Sequence, residues 1–249
     1  MRILVLNPNT TAGLTDLMVR AGRAVAAPGT TLVPLTAARG VPYISSRAEA
    51  QIGGAIALEM LAEHHTQADA AVFAAFGEPG LLGARELFDI PVVGMGEAAM
   101  LTACMLGRKF AIVTFAAALG PWYQECVDLH GLTSRCAGVR TIDAAFNSIT
   151  GVQDENERLL VELAAKAVSE THADVVIPGG APLAGLADKI KGQVPVPIVD
   201  PIQAAVKLAE ALVVLKPNRA TVGTFSRPEA KHSTGLAEAL ARRIEHKDG

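Results

Sequence analysis

Ala74-Ala75-Phe76-Gly77-Glu78-Pro79-Gly80-Leu81 lies between the apolar run Ala70-Ala71-Val72-Phe73 and the amphipathic run Leu82-Gly83-Ala84-Arg85-Glu86-Leu87-Phe88. An apolar strand that enters a Gly/Pro-rich turn and then a helix is how an α/β protein presents a ligand site. The loop sits at the carboxyl end of the strand with its backbone N–H groups free. The stretch therefore reads as one half of a functional site.

The chain nearly repeats it. Asp69-Ala-Ala-Val-Phe-Ala-Ala-Phe-Gly-Glu-Pro-Gly-Leu81 and Asp174-Val-Val-Ile-Pro-Gly-Gly-Ala-Pro-Leu-Ala-Gly-Leu186 share an Asp, an apolar strand, a small-residue turn and a Gly-Leu helix start. Each continues into a short β run, Ile90-Pro-Val-Val-Gly94 and Val196-Pro-Ile-Val-Asp200, and then a further helix. A unit this long exceeds solenoid periods and predicts a duplicated α/β half. The expected fold is α/β, with two pseudo-symmetric three-layer domains, each around a parallel sheet, and a cleft between them. The first domain takes residues 1–96 and about 207–249, the second residues 97–206.

Composition agrees with buried parallel strands covered by Ala-rich helices. Half of the 249 residues are hydrophobic and only 4% aromatic. A formal net charge of −3 gives no basic field, so nucleic acid and anionic membrane surfaces are not expected as partners. No apolar run approaches the roughly 20 residues that span a bilayer. A cytoplasmic location and a homo-oligomer are expected. Cys104, Cys126 and Cys136 form no CxxC and no metal spacing, and read as small buried hydrophobes.

Along the chain, residues 2–6 form a strand followed at once by Asn7-Pro8-Asn9-Thr10-Thr11, which places amides and hydroxyls at its carboxyl end. Thr10 or Thr11 is positioned to cap a helix over residues 13–26. Asn7, Asn9 and Thr10 are candidates to bind a carboxylate or amide. After a strand at residues 31–35, the long connection 36–47 offers Ser45 and Ser46, as ligand contacts or as caps of a helix over 47–64. Residues 108–115 look like a second copy of the N-terminal strand, with Lys109 matching Arg2 and Thr114 matching Asn7. Residues 141–144 are weaker strand material, 155–172 and 202–213 read as helices, and a closing helix covers 234–246. His232 is expected at the surface.

Asn7-Pro8-Asn9-Thr10-Thr11, Phe76-Gly77-Glu78-Pro79-Gly80, Ile112-Val113-Thr114 and Gly179-Gly180-Ala181-Pro182-Leu183-Ala184-Gly185 occur in this order. Together they resemble the aspartate/glutamate/hydantoin racemase superfamily, nearest to its hydantoin and allantoin racemase branch. The resemblance implies a small substrate held between the two domains and no cofactor or metal. It also implies a two-base mechanism, in which one cysteine thiolate removes the proton α to a carbonyl and a thiol on the opposite face returns one. Carried over by position, the two cysteines fall on Ala75 and Gly180, and neither is a cysteine here.

That departure decides the chemistry more than the family does, because alanine and glycine have no titratable atom. Glu78 is the one ionisable side chain in either loop. It reads as a general base or water-activating carboxylate, or as a structural acid that caps the following helix. Substrate contacts are assigned to Asn7, Asn9, Thr10, Ser45, Phe76, Gly77, Thr114, Gly180, Ala181 and Pro182. Three functions stay open at this point. They are a racemase-type enzyme with altered chemistry on a small carboxylate, hydantoin or ureide, a hydrolase or lyase using Glu78, and a non-catalytic ligand binder.

Overall fold

The computed structural model describes residues 1–142 and 147–248. The first half runs β1 (Arg2–Asn7), α1 (Ala12–Arg23), β2 (Thr31–Thr36), α2 (Arg47–His64), β3 (Ala70–Phe73), α3 (Leu81–Leu87), β4 (Val92–Gly94) and α4 (Met95–Leu106). It continues as β5 (Phe110–Thr114), α5 (Leu119–Leu129), β6 (Cys136–Thr141), α6 (Val152–Thr171), β7 (Val175–Pro178), α7 (Leu186–Lys189), α8 (Pro201–Leu215) and α9 (Glu238–Ile244). The strands form two sheets, ordered β2-β1-β3-β4 and β6-β5-β7. Every pairing is parallel.

In each sheet the first strand is flanked on both sides by later ones, so the loops after β1 and β3, and after β5 and β7, splay apart at the carboxyl ends. This is where α/β sheets bind ligands. Alternation along β1 explains the layering of the first sheet. Ile3 and Val5 enter a core shared with α1 and with the second sheet, while Leu4 and Leu6 pack with residues of α2, α3 and α9.

The duplication is visible at the level of single hydrogen bonds. Asp69 accepts the Arg2 N–H at 2.7 Å, and Asp174 accepts the matching Lys109 N–H at 2.9 Å. Gly80 and Gly185 stand just before α3 and α7 with φ of 88° and 83°, a left-handed conformation that favours glycine. At Gly80 a β-carbon would also press on the α2 backbone at Gly54, 2.8 Å from its carbonyl oxygen.

Several expectations are corrected. The run 196–200 is not a strand but a single bridge between Val176 and Ile198. Val176 donates to Pro197 and accepts from Val199, but the next residue of β7 facing that side is Pro178, which has no N–H to carry the ladder on. Strand β6 ends at Thr141, upstream of the run expected at 141–144, of which Asp143 and Ala144 lie outside the described residues. The domain cuts at 96/97 and 206/207 fall inside α4 and α8, and α8 packs on α1, α4, β3 and β4. The closing helix is shorter than expected, because the side chain of Glu245 is spent on the N–H and hydroxyl of Ser233, tying the upstream loop back. His232 is exposed, as expected. Cys126 is buried, while Cys104 and Cys136 are only half-buried. Among the described residues no helix is long and apolar enough to cross a membrane.

Candidate functional site

The loops after β1, β3, β5 and β7 converge on one cavity, lined by Asn9, Ala75, Phe76, Gly77, Phe115, Gly180, Ala181 and Pro182 together with side chains from the 36–46 connection and α5. Both positions matched to the family's cysteines therefore face the same space. That space is nearly full. About 30 Å³ remains, room for a water or two, against the several hundred Å³ of an ordinary ligand pocket.

Aromatic rings fill it. The chain's one tryptophan, both tyrosines and two of its seven phenylalanines line the cavity. Phe76 and Tyr123 pack with ring centroids 4.5 Å apart, and Tyr123 and Trp122 at 5.7 Å. The indole lies so close over Gly77 that a β-carbon there would overlap it. Gly180 has φ of +119°, and a β-carbon on it would stand 2.9 Å from Phe115 Cε1 and 3.3 Å from the Tyr123 hydroxyl. A phenol and a phenyl ring thus occupy the volume that a side chain at position 180 would need.

The polar candidates divide. Asn7 is fully buried, and its Nδ2 donates to Asn9 Oδ1 and Thr15 Oγ1 at 3.1 and 2.9 Å while its Oδ1 accepts the Asn9 N–H. It positions the loop and is not free for a ligand. Asn9 Oδ1 also accepts the Thr11 N–H, but Asn9 Nδ2 has no hydrogen-bond partner among the described residues and lines the cavity. Thr10 is held through its backbone by Val41 and is not a lining residue. Thr11 precedes α1 without a side-chain cap bond, because its hydroxyl donates to Pro42 instead. Thr114 Oγ1 donates to the Gly179 carbonyl at 2.8 Å, clamping the second loop. Ser46 forms a capping box with Glu49, and the N–H and hydroxyl of Ser45 also bind Glu49. Their neighbours Tyr43 and Ile44 reach the cavity in their place.

Glu78 points away from the cleft. Its Oε1 accepts the Glu97 N–H at 2.6 Å and its Oε2 bonds His130 Nε2 at 2.7 Å. Glu97 is in turn forked by Arg85 and lies 3.5 Å from His130 Nδ1. The His130 and Glu78 side chains are only 8% and 4% exposed. Burial opposes the charge on His130, but the hydrogen bonds to Glu78 and Glu97 outweigh it and raise its pKa to about 9. Burial likewise opposes the charge on Glu97, and His130 and Arg85 overcome it and pull that carboxyl down to about 2. Burial pushes the Glu78 carboxyl up, against the pull of His130 and the Glu97 N–H. Glu78, Glu97, Arg85 and His130 together form a buried knot that fastens the first loop to the start of α4 and the end of α5. Asp200 does the same for the second loop, accepting the Gly185 N–H at 2.6 Å and capping α8 through Ile202 and Gln203.

The residues that sequence reasoning missed are Tyr123, Trp122, Phe115 and His130. The signal for the first three was present: rings are scarce in this chain, yet three fall within residues 115–123. Burial raises the Tyr123 phenol, whose hydroxyl lies beside Thr114, and pushes the Cys126 thiol up to about 12, so neither ionises near neutrality. Among the described residues no group of three His, Cys, Asp or Glu is placed to hold a metal ion.

A family model described as Asp/Glu/Hydantoin racemase matches residues 3–209. A hydantoin racemase of Paenarthrobacter aurescens is 32% identical over 235 residues, covering 93% of this chain and 99% of that protein. An allantoin racemase from Klebsiella pneumoniae superposes with a TM-score of 0.90 at 33% identity, covering 96% of this chain and 98% of that one. An allantoin racemase from Pseudomonas fluorescens gives 0.88 at 34%, covering 94% and 100%.

Proposed function

Because the chain belongs to the Asp/Glu/hydantoin racemase family, we propose that it binds a small carboxylate, hydantoin or ureide between its two sheets without racemising it at the two loop positions. The observation that carries this reading is the lining of the cleft. Among the described residues that line it, none is an Asp, Glu, His, Cys, Lys or Arg, and burial keeps the Tyr123 phenol neutral. A neutral phenol donates a hydrogen bond but does not abstract an α proton. Asn9 Nδ2 supplies an unused amide donor suited to a carbonyl or carboxylate oxygen. Glu78, with both oxygens already engaged, acts in this reading as a fastener of the loop.

The test uses single enantiomers of 5-substituted hydantoins, allantoin and aspartate in D2O near pH 7. Their optical rotation is expected to persist with no deuterium at the α-carbon, while ligand-induced thermal shifts report binding. Deuterium incorporation with loss of rotation would overturn the reading.

A second reading is favoured by the position of Tyr123 alone. A proton donor on one face, with none opposite at Ala75, suits lysis of the C–C bond to a carboxylate, in which CO2 departs, the electron pair stays on the α-carbon and the carbanion is protonated from one side. New product signals that vanish in Tyr123→Phe would select it. A homo-oligomer goes with either reading, supported by the exposed apolar end of α4 at Leu101, Met105 and Leu106. Sedimentation velocity measures it directly.

A further inference from the structure

Beside the cleft, a groove of about 840 Å³ lies on the outer side of the first loop, between α2, α3 and α5. Its walls are Ala50, Gly54, Ala55, Leu58, Leu82 and Leu129, and at its mouth Arg47 and Glu125 are paired with each other. The groove therefore presents an apolar floor and no uncompensated charge. Gly77 and Trp122 line both the groove and the cleft, so the indole is the partition between them.

Resting on the reading of the cleft as a ligand site, we propose that cleft and groove are one binding chamber divided by a movable Trp122. Its ligand has two parts, a planar amide or carboxylate head for the cleft and an apolar substituent for the groove. The cleft alone, at about 30 Å³, has no room for even a small ring, whereas the combined space takes one readily. Trp122 is 93% buried by packing, yet its indole N–H has no hydrogen-bond partner among the described residues, so no polar bond is lost when it swings. The backbone of Gly77 is outside the left-handed region, and its lack of a side chain is what lets the indole lie shut. The head meets Asn9 Nδ2, and the substituent displaces water from Leu58, Leu82 and Leu129.

As the chain's one tryptophan is the partition, its fluorescence reports the chamber. The probes are acetylurea and phenylacetylurea, which share a head and differ by an apolar ring. Phenylacetylurea is expected to bind at least about tenfold more tightly and to shift the emission. Ala55→Phe, which fills the groove from an exposed position on α2, is expected to bring the affinity for phenylacetylurea down to that for acetylurea. Gly77→Ala, which wedges the indole outward, is expected to move the emission toward the red and to speed binding of acetylurea. Equal affinities for the two probes, or a preference indifferent to Ala55→Phe, would overturn the chamber while leaving the cleft reading intact. If hydantoin, allantoin, aspartate and both ureas all fail to bind the wild type and Gly77→Ala, the cleft reading falls too. If emission varies with protein concentration and Ala55→Phe alters the sedimenting mass, the groove is covered by a second copy and the chamber is overturned.

Discussion

His130→Ala is expected to lower stability by about 3–5 kcal/mol, because it leaves two buried or half-buried carboxylates facing an emptied site. For a chain of 249 residues that corresponds to a melting temperature about 10 °C lower. Calorimetry of His130→Ala, Glu78→Gln and the double variant measures it. The double variant is expected to lose much less than the two single losses combined, since the partners share one interaction. A loss below about 1 kcal/mol for His130→Ala would show that the knot is dispensable. The pH dependence has a definite sign. The His130 pKa is about 9 in the folded chain against an ordinary 6.5, so its contribution is complete below 6.5 and is lost as pH rises through 9. By linkage this is worth about 3 kcal/mol. Glu97 sets the acid limit. Its carboxyl is held near 2 against an ordinary 4.5, so its contribution is complete above 4.5 and is lost as pH falls through 2. The advantage of wild type over His130→Ala is therefore largest between about pH 4.5 and 6.5 and is expected to vanish near pH 10.

Placing cysteines at Ala75 and Gly180, the positions that the family resemblance points to, is expected not to produce a racemase. Ala75→Cys adds one sulfur at a cleft-lining position and is tolerated. Gly180→Cys is a different matter, because its φ of +119° disfavours any side chain and the new β-carbon meets the ring of Phe115 at 2.9 Å. Backbone strain and overpacking together are expected to cost about 3 kcal/mol. The double variant should exchange α protons of hydantoins in D2O no faster than about tenfold above the uncatalysed background, the level expected of wild type. Adding Phe115→Ala relieves the overlap and opens the cleft, and is expected to raise exchange by about two orders of magnitude or more, the usual worth of a placed acid/base group. Full activity in the double variant without Phe115→Ala would show that the cleft opens unaided.

The duplication was legible because its marks are local. An aspartate that clasps the start of the neighbouring strand and a glycine that turns into a helix must recur wherever that backbone recurs, so Asp69 with Asp174 and Gly80 with Gly185 identify the two halves without coordinates. Glu78 was ambiguous because the residue that claims it, His130, is 52 positions away and is brought there only by the packing of α5. Trp122 and Tyr123 lie inside a helix whose sequence does not say which surface it covers. The bridge at Val176 and Ile198 was overestimated as a strand because apolar content was weighed above the missing N–H of Pro178 on the neighbouring strand. Ser45 was drawn into the site by its polarity, but Glu49 is four residues away and satisfies it first.

Strand β2 carries a proline in its middle. Thr31 and Ala37 donate to Met1 and Asn7, so odd-numbered residues face β1 and Pro34 turns its ring nitrogen toward the open margin of the sheet. A foreign strand laid along that margin would find no donor at its centre. The β2 margin of the first sheet is thereby closed to growth by strand addition, which protects that six-residue edge from edge-to-edge aggregation.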